Sequence, residues 1–198
     1  GWVFFSTNFG DDFLRNFNRF LLLAVLCTAT SFPQFTAKVM TYNVLNYPGS
    51  TGPERNPYFK TILNATNPDI LVIGEISSES DFNTFRDSVI KKVSLDYAWG
   101  TFIDGPDSDH GIFYKSSKFD FISNIAIVTA LRDINQFTVS SKFTLDTLII
   151  YAVHLKASSG GANELLRAAE VDSLRKVTNK LHSGANFLVL GDFNIYRS

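Results

Sequence analysis

Five polar side chains stand at the ends of apolar runs, and their types suit work on a phosphoryl group: Asn43, Glu75, His154, Asp192 and Asn194. A carboxylate such as Glu75 at a strand tip can hold a hard divalent cation that keeps several of its waters. Asp192 can orient or deprotonate a water, and Asn194 can bind developing negative charge. One residue separates this pair, and on an extended chain that spacing points both side chains to the same side. Each residue also has a plainer reading: a solvated carboxylate for Glu75, a half-buried backbone-bonded histidine for His154, a capping or turn residue for Asn43, and an Asx turn for Asp192 with Asn194. Their distribution carries more weight than any one of them, because strand ends are rigid platforms on which site residues converge.

The elements that deliver them can be read from the pattern. Ala37, Val39, Tyr42 and Val44 lie in a short β-prone run closed by the turn signal Asn46-Tyr47-Pro48-Gly49, which leaves Asn43 near a strand end. Residues 50–57 read as a loop, and Tyr58 to Ala65 as two helical turns stopped by Asn67-Pro68-Asp69. The run Ile70, Leu71, Val72, Ile73 marks a strand buried on both faces, closed by Gly74 and Glu75. Ser80 and Asp81 are N-cap candidates for a helix carrying Phe82, Phe85, Val89 and Val93. Strands are expected over 97–102, 111–115, 120–129, 136–144 and 147–154, the last two forming a hairpin across Leu145-Asp146. A long helix over 162–181, with Leu174, Val177 and Leu181 on its inner face, precedes the final strand, Phe187 to Leu190. Buried strands alternating with helices at both ends, and antiparallel runs between, imply two sheets with helices on their outer faces.

The composition fits one globular domain: 198 residues, 45% hydrophobic, 14% aromatic. A formal net charge of -1 excludes a global electrostatic pull toward nucleic acid or anionic membrane, while leaving room for metal ions to supply positive charge locally. The single cysteine, Cys27, lies in the apolar stretch Phe20 to Cys27 behind Arg15 and Arg19. That arrangement reads as the basic and apolar regions of a signal peptide, too short to span a bilayer. The expected organisation is a leader at 1–14 without assigned fold, a signal peptide at 15–35 and one domain at 36–198, in a secreted or periplasmic protein.

Four segments in order, Thr41-Tyr42-Asn43-Val44, Pro68 to Glu75, Tyr151-Ala152-Val153-His154-Leu155-Lys156 and Gly191-Asp192-Phe193-Asn194, resemble the successive motifs of the endonuclease/exonuclease/phosphatase superfamily, whose fold is DNase I-like. The resemblance runs from about Lys38 to Asn194. It implies an α+β fold, a four-layer α/β/β/α sandwich, and cleavage of phosphoester bonds with Mg²⁺ or Mn²⁺, Ca²⁺ being a further candidate. By position it implies Glu75 as metal ligand and Asn43 as support for the metal or a phosphate oxygen. His154 is then on the scissile phosphate, Asp192 on the attacking water and Asn194 on a phosphate oxygen.

The leading expectation is an exported phosphodiester hydrolase, a nuclease acting as an endonuclease. A phosphatase, a sphingomyelinase-like enzyme and a non-catalytic binding module on the same scaffold are the alternatives. The expected partner is nucleic acid or another phosphodiester, with no stable protein partner and no transmembrane span. The superfamily pattern also has a further Asp and a near-terminal Asp-His pair beyond the Gly-Asp-x-Asn strand, which this sequence, ending at Ser198, does not contain. The domain is therefore expected to be incomplete at its C-terminus, with exposed apolar sheet edges, poor folding and no activity as it stands. His110, in Asp107-Ser108-Asp109-His110, is expected to be a solvated loop residue whose removal leaves activity unchanged.

Overall fold

A computed structural model describes residues 36–196. The leader and signal-peptide readings fall outside these residues. Two four-stranded sheets pack face to face. Sheet A has the order β1-β2-β4-β3, from β1 (Val39–Tyr47), β2 (Ile70–Ile76), β3 (Tyr97–Trp99) and β4 (Asp109–Lys115). Sheet B has the order β5-β6-β7-β8, from β5 (Phe119–Ile127), β6 (Ile134–Ser141), β7 (Thr147–His154) and β8 (Asn186–Asp192). The pairs β1–β2 and β7–β8 are parallel and the others antiparallel.

Period-two alternation sorts the apolar residues into three cores. Ile70 and Val72 of β2 meet Phe137, Val139, Ile150 and Ala152 between the sheets. Leu71 and Ile73, one residue out of phase, pack outward against Phe59 and Leu63 of α1 (Gly52–Thr66) and Phe82 and Phe85 of α2 (Glu79–Phe85). On sheet B, Tyr151 and Val153 pack outward against Leu174, Val177 and Leu181, with Leu174 and Val177 on α3 (Gly161–Thr178). Helix, sheet, sheet, helix is the four-layer sandwich expected from the sequence.

Several boundaries move for local reasons. Helix α1 starts at Gly52, six residues earlier than the Pro-rich segment suggested: Pro53 occupies the first turn, where no N–H is needed, and Pro57 lies within the helix. Asn67, left-handed at φ 44°, ends it with an N–H bond to Leu63 O. The side chain of Ser78, rather than Ser80 or Asp81, caps α2 by accepting from Asp81 N at 3.2 Å. Helix α2 runs on through a π-helical turn at Arg86–Ile90. Strand β4 begins two residues early, at Asp109.

The lower end of sheet A is tied to one carboxylate. Asp69, 6% exposed, accepts from Lys38 N at 3.0 Å, Lys115 Nζ at 3.1 Å and Lys118 Nζ at 2.9 Å. Its backbone adds Asp69 N to Lys38 O and Lys115 N to Asp69 O, so the carboxylate and its peptide groups join β1, β2 and β4. Burial pushes its pKa up, but the Lys38 N–H and the two ammonium groups overcome this and hold it at about 2. At the other end of the fold's sheet order, the edge strand β8 leaves Phe187 and Leu188 exposed, at 45% and 39%. Asp69→Ala is expected to cost about 2 kcal/mol or more, by loss of charge-assisted hydrogen bonds. Urea unfolding checks this, and a midpoint equal to wild type would contradict the anchor.

Candidate active site

The register set at Asp69 puts Asn43, Gly74 and His110 in one row across β1, β2 and β4 at the upper end of sheet A. All three share phase with Val72, so they face sheet B. On sheet B, His154 and Asp192 are register partners across β7 and β8, in phase with Ala152 and Leu190, and face sheet A. The two rows enclose a cavity of about 190 Å³ lined by Thr41, Asn43, Gly74, His110, His154, Gly191 and Asp192.

Glu75 reaches this site by breaking alternation. In phase with Leu71 and Ile73 it belongs on the helix side, but β2 bulges between Gly74 and Ile76, and Glu75 is left-handed at φ 62°. The turned side chain accepts from Asn43 Nδ2 at 2.6 Å and brings Oε1 to 3.9 Å from His154 Nε2. A non-glycine residue in this conformation is strained, and such strain gathers at functional sites. Asn43 in turn accepts from Leu45 N at 2.9 Å, so its oxygen is engaged and its amide group holds the carboxylate.

Gly191 also depends on an unusual backbone. Its φ is 129°, and a Cβ there would lie 2.0 Å from Val153 O, a contact no side chain can make. Glycine is what lets β8 approach β7 beside His154. Leu155 N then donates to Asp192 O at 2.9 Å. The segment after His154 is fastened from outside by α3: Arg167 Nη1 donates to Lys156 O and Ser158 O, both at 2.8 Å, and Glu170 Oε2 accepts from Lys156 N at 2.8 Å.

Asn43, His154 and Asp192 therefore line one cavity, and Glu75 stands beside it through its contacts with Asn43 and His154. Asn194 is placed differently. The chain leaves the extended conformation there, with Asn194 at φ 46°, and its N–H donates to Asp192 Oδ1 at 3.0 Å in an Asx-type turn. Its side chain donates to Leu155 O at 2.9 Å and accepts from Tyr196 OH at 3.0 Å, so it braces the loops instead of lining the cavity. The premise that alternation puts Asp192 and Asn194 on one side fails at this residue.

His110 is the residue sequence reasoning missed. It is 2% exposed and lines the cavity, not a solvated loop. The signal was present, a polar residue at the tip of the apolar run Gly111-Ile112-Phe113, but it precedes its strand. Because β4 runs antiparallel to β2, the start of β4 lies at the same end as the close of β2.

Both histidines are neutral at pH 7. Burial, then the neighbouring His154, lowers the pKa of His110 to about 4, partly offset by the Asn135 side chain and the Val153 backbone. Burial and the Arg132 charge lower that of His154, against Glu75 and Asp192, which favour its protonation. Next to His110, Asp109 is pushed up to about 6 by burial, against the Gly105 N–H and with Asp104, Asp133 and Asp107 adding to the rise.

The donors suit a hard divalent ion that keeps most of its water. Asp192 offers carboxylate oxygen in the cavity and Glu75 beside it, next to His154, and among the described residues no group of three or more His, Cys, Asp or Glu side chains is placed to hold a metal ion.

Solved structures share this arrangement of layers. TDP2 from D. rerio, in complex with a single-strand DNA product, is 17% identical with a TM-score of 0.64, over 81% of this chain and 62% of that one. The fold is that of the endonuclease/exonuclease/phosphatase superfamily. A mannosyl-6-phosphatase from Bacteroides thetaiotaomicron shares this DNase I-like fold at 19% identity and a TM-score of 0.62, over 82% of this chain and 67% of that one. An endonuclease/exonuclease/phosphatase family protein from the same organism gives 20% and 0.61, over 80% and 64%. The chain spans less than two thirds of the TDP2 chains it overlays. No protein-family model matches the sequence, and no curated protein does.

Two predictions come from this geometry. Gly191→Ala is expected to part β7 from β8 and destabilise the protein by more than about 2 kcal/mol, read by urea unfolding. The second concerns pH. The unfolded chain protonates histidine near 6.5 and the folded chain protonates His110 only at about 4, so this group removes stability as pH falls across that window. Asp109 works oppositely: the folded chain binds its proton at about 6 and the unfolded chain at 3.8, so acidification across that window adds stability. The stability of wild type relative to Asp109→Asn should therefore grow as pH falls from about 6 toward 4. Parallel pH profiles for the two proteins would rule out a buried, protonated Asp109.

Proposed function

We propose that the site hydrolyses phosphodiester bonds with a divalent metal ion, and that its substrate is nucleic acid, which makes the protein a nuclease. The observation that carries this is that Asn43 from one sheet and His154 and Asp192 from the other line one cavity, with Glu75 beside it, bonded to Asn43 and 3.9 Å from His154. The DNA product held by the D. rerio TDP2 structure supports nucleic acid as the first substrate to test. The mannosyl-6-phosphatase with the same fold makes a sugar phosphate the second.

Glu75, steadied by Asn43, holds the ion, with Asp192 close by as a second oxygen donor. When bound, the ion neutralises charge on the phosphate and lowers the pKa of water. Asp192 has Oδ1 engaged by the Asn194 N–H, which leaves Oδ2 to orient a water and take its proton as the oxygen attacks phosphorus. The P–O ester bond breaks, and the leaving oxygen takes a proton from solvent. Neutral His154 steadies a phosphoryl oxygen by donating one N–H, with the Arg132 charge adding a favourable field for the anion. Export is part of the same proposal, supported by Arg15, Arg19 and the apolar run Phe20 to Cys27.

The test is hydrolysis of plasmid DNA, RNA, bis-p-nitrophenyl phosphate and mannose 6-phosphate with Mg²⁺ or Mn²⁺, with and without EDTA. Glu75→Gln and Asp192→Asn are each expected to lower turnover by about 100-fold or more. Full activity in Asp192→Asn, or activity that survives EDTA, overturns the mechanism. Hydrolysis of the sugar phosphate alone replaces the nuclease assignment, and a wild-type protein inert toward every substrate points to the binding-module alternative.

A further inference from the structure

The working groups come from two different sheets, so their separation depends on how far apart the sheets stand at this point. Glu75 and Asn43 belong to sheet A, His154 and Asp192 to sheet B. Deep between the sheets, spacing is set by apolar packing: Val72 and Ile112 against Phe137, Ile150 and Ala152. At the site this packing stops, because Gly74 has no side chain and its register partners Asn43 and His110 are polar. One ring occupies the gap. His110 is the register partner of Gly74, and a Cβ on Gly74 would meet its Cδ2 at 3.2 Å and Nε2 at 3.3 Å. The imidazole leans over the position that the missing side chain vacates.

From there it reaches sheet B. The Asn135 side chain on β6 and the Val153 backbone on β7 both act on the ring, and Val153 is the residue before His154. Asn135 is itself buried, at 1% exposure, and is the register partner of Ala152. His110 thus touches strands of both sheets directly beneath Glu75 and His154. Its Nδ1 is buried without a hydrogen-bond partner, as is Oδ1 of Asn135. What the ring presents to Gly74 is bulk, its Cδ2 edge lying over the position a side chain would fill. Volume is what the ring supplies, with one edge that tolerates a polar cavity.

We propose that His110 is a positioning residue, a ring wedged between the two sheets that holds Glu75 and His154 at their working separation. This rests on the reading of Glu75 and His154 as the working groups, and the test separates the two ideas. His110→Ala removes the wedge and lets the sheets shift, whereas His110→Phe keeps a ring of similar size and removes only the nitrogens. The readouts are Mn²⁺ affinity by calorimetry and backbone amide hydrogen exchange at Gly74 and Val153, with urea unfolding run on each variant.

His110→Ala is expected to weaken Mn²⁺ binding by about tenfold or more, as loss of a supporting group does, and to speed exchange at both amides. His110→Phe is expected to restore both measures to near wild type. Exchange and affinity unchanged in His110→Ala overturn the wedge, and so does a His110→Phe variant as impaired as His110→Ala. Where His110→Ala does not fold, His110→Phe decides alone, wild-type behaviour supporting the wedge and impairment overturning it. A wild-type protein that binds no Mn²⁺, or a Glu75→Gln variant that binds it normally, sinks the metal reading while amide exchange still judges the wedge.

Discussion

The upper end of sheet A is arranged by a buried carboxylate at its lower end. Asp69 gathers Lys38 N and two lysine side chains, and its own peptide groups bond Lys38 and Lys115, so β1 and β2 start, and β4 ends, at one point. Sheet geometry carries that choice upward one residue at a time: Val39 opposite Ile70 becomes Asn43 opposite Gly74, and Ile70 opposite Tyr114 becomes Gly74 opposite His110. A slip of one residue anywhere along the way would turn every side chain to the other face. The anchor is expensive to bury, and its ammonium partners offset that cost. What it secures is the row on which half of the site stands.

Alternation gives the layers but would not by itself give the site. Ile70 and Val72 go inward, Leu71 and Ile73 outward, and a continuous apolar run of that kind announces a strand buried on both faces. The four-layer arrangement was legible for this reason, and so were His154 and Asp192, which keep the phase of their strands. Glu75 was found by type and place, but the reason it turns toward Asn43 and His154, a bulge with left-handed backbone, has no signature in residue type. Asn194 shows the converse. Its left-handed backbone rotates it out of the extended phase on which its assignment to the cavity rested, and it becomes a brace between the loops after β7 and β8.

His110 was hidden by direction. Polar residues that follow apolar runs mark the C-terminal tips of strands, and Glu75, His154 and Asp192 stand at or near such tips, whereas Asn43 lies mid-strand in β1. Strand β4 runs the other way, so its contribution precedes its apolar run and reads as the tail of an acidic loop. Only the pairing of β4 with β2, which no local pattern specifies, brings His110 opposite Gly74. Helix α1 extends further than its prolines suggest: Pro53 sits in the first turn, where no N–H is needed, and Pro57 is carried within the helix.

At Gly191 the two central strands of the site meet backbone to backbone, with no room for a side chain between them. The placement of Asp192 beside His154 is therefore inherited from main-chain geometry and not from the fit of neighbouring side chains. Core residues can be exchanged over long divergence while this pair stays where it is, provided the glycine remains. A change among the packed side chains can shift a ring or a methyl group without parting Asp192 from His154, whereas any side chain at Gly191 must drive the two strands apart.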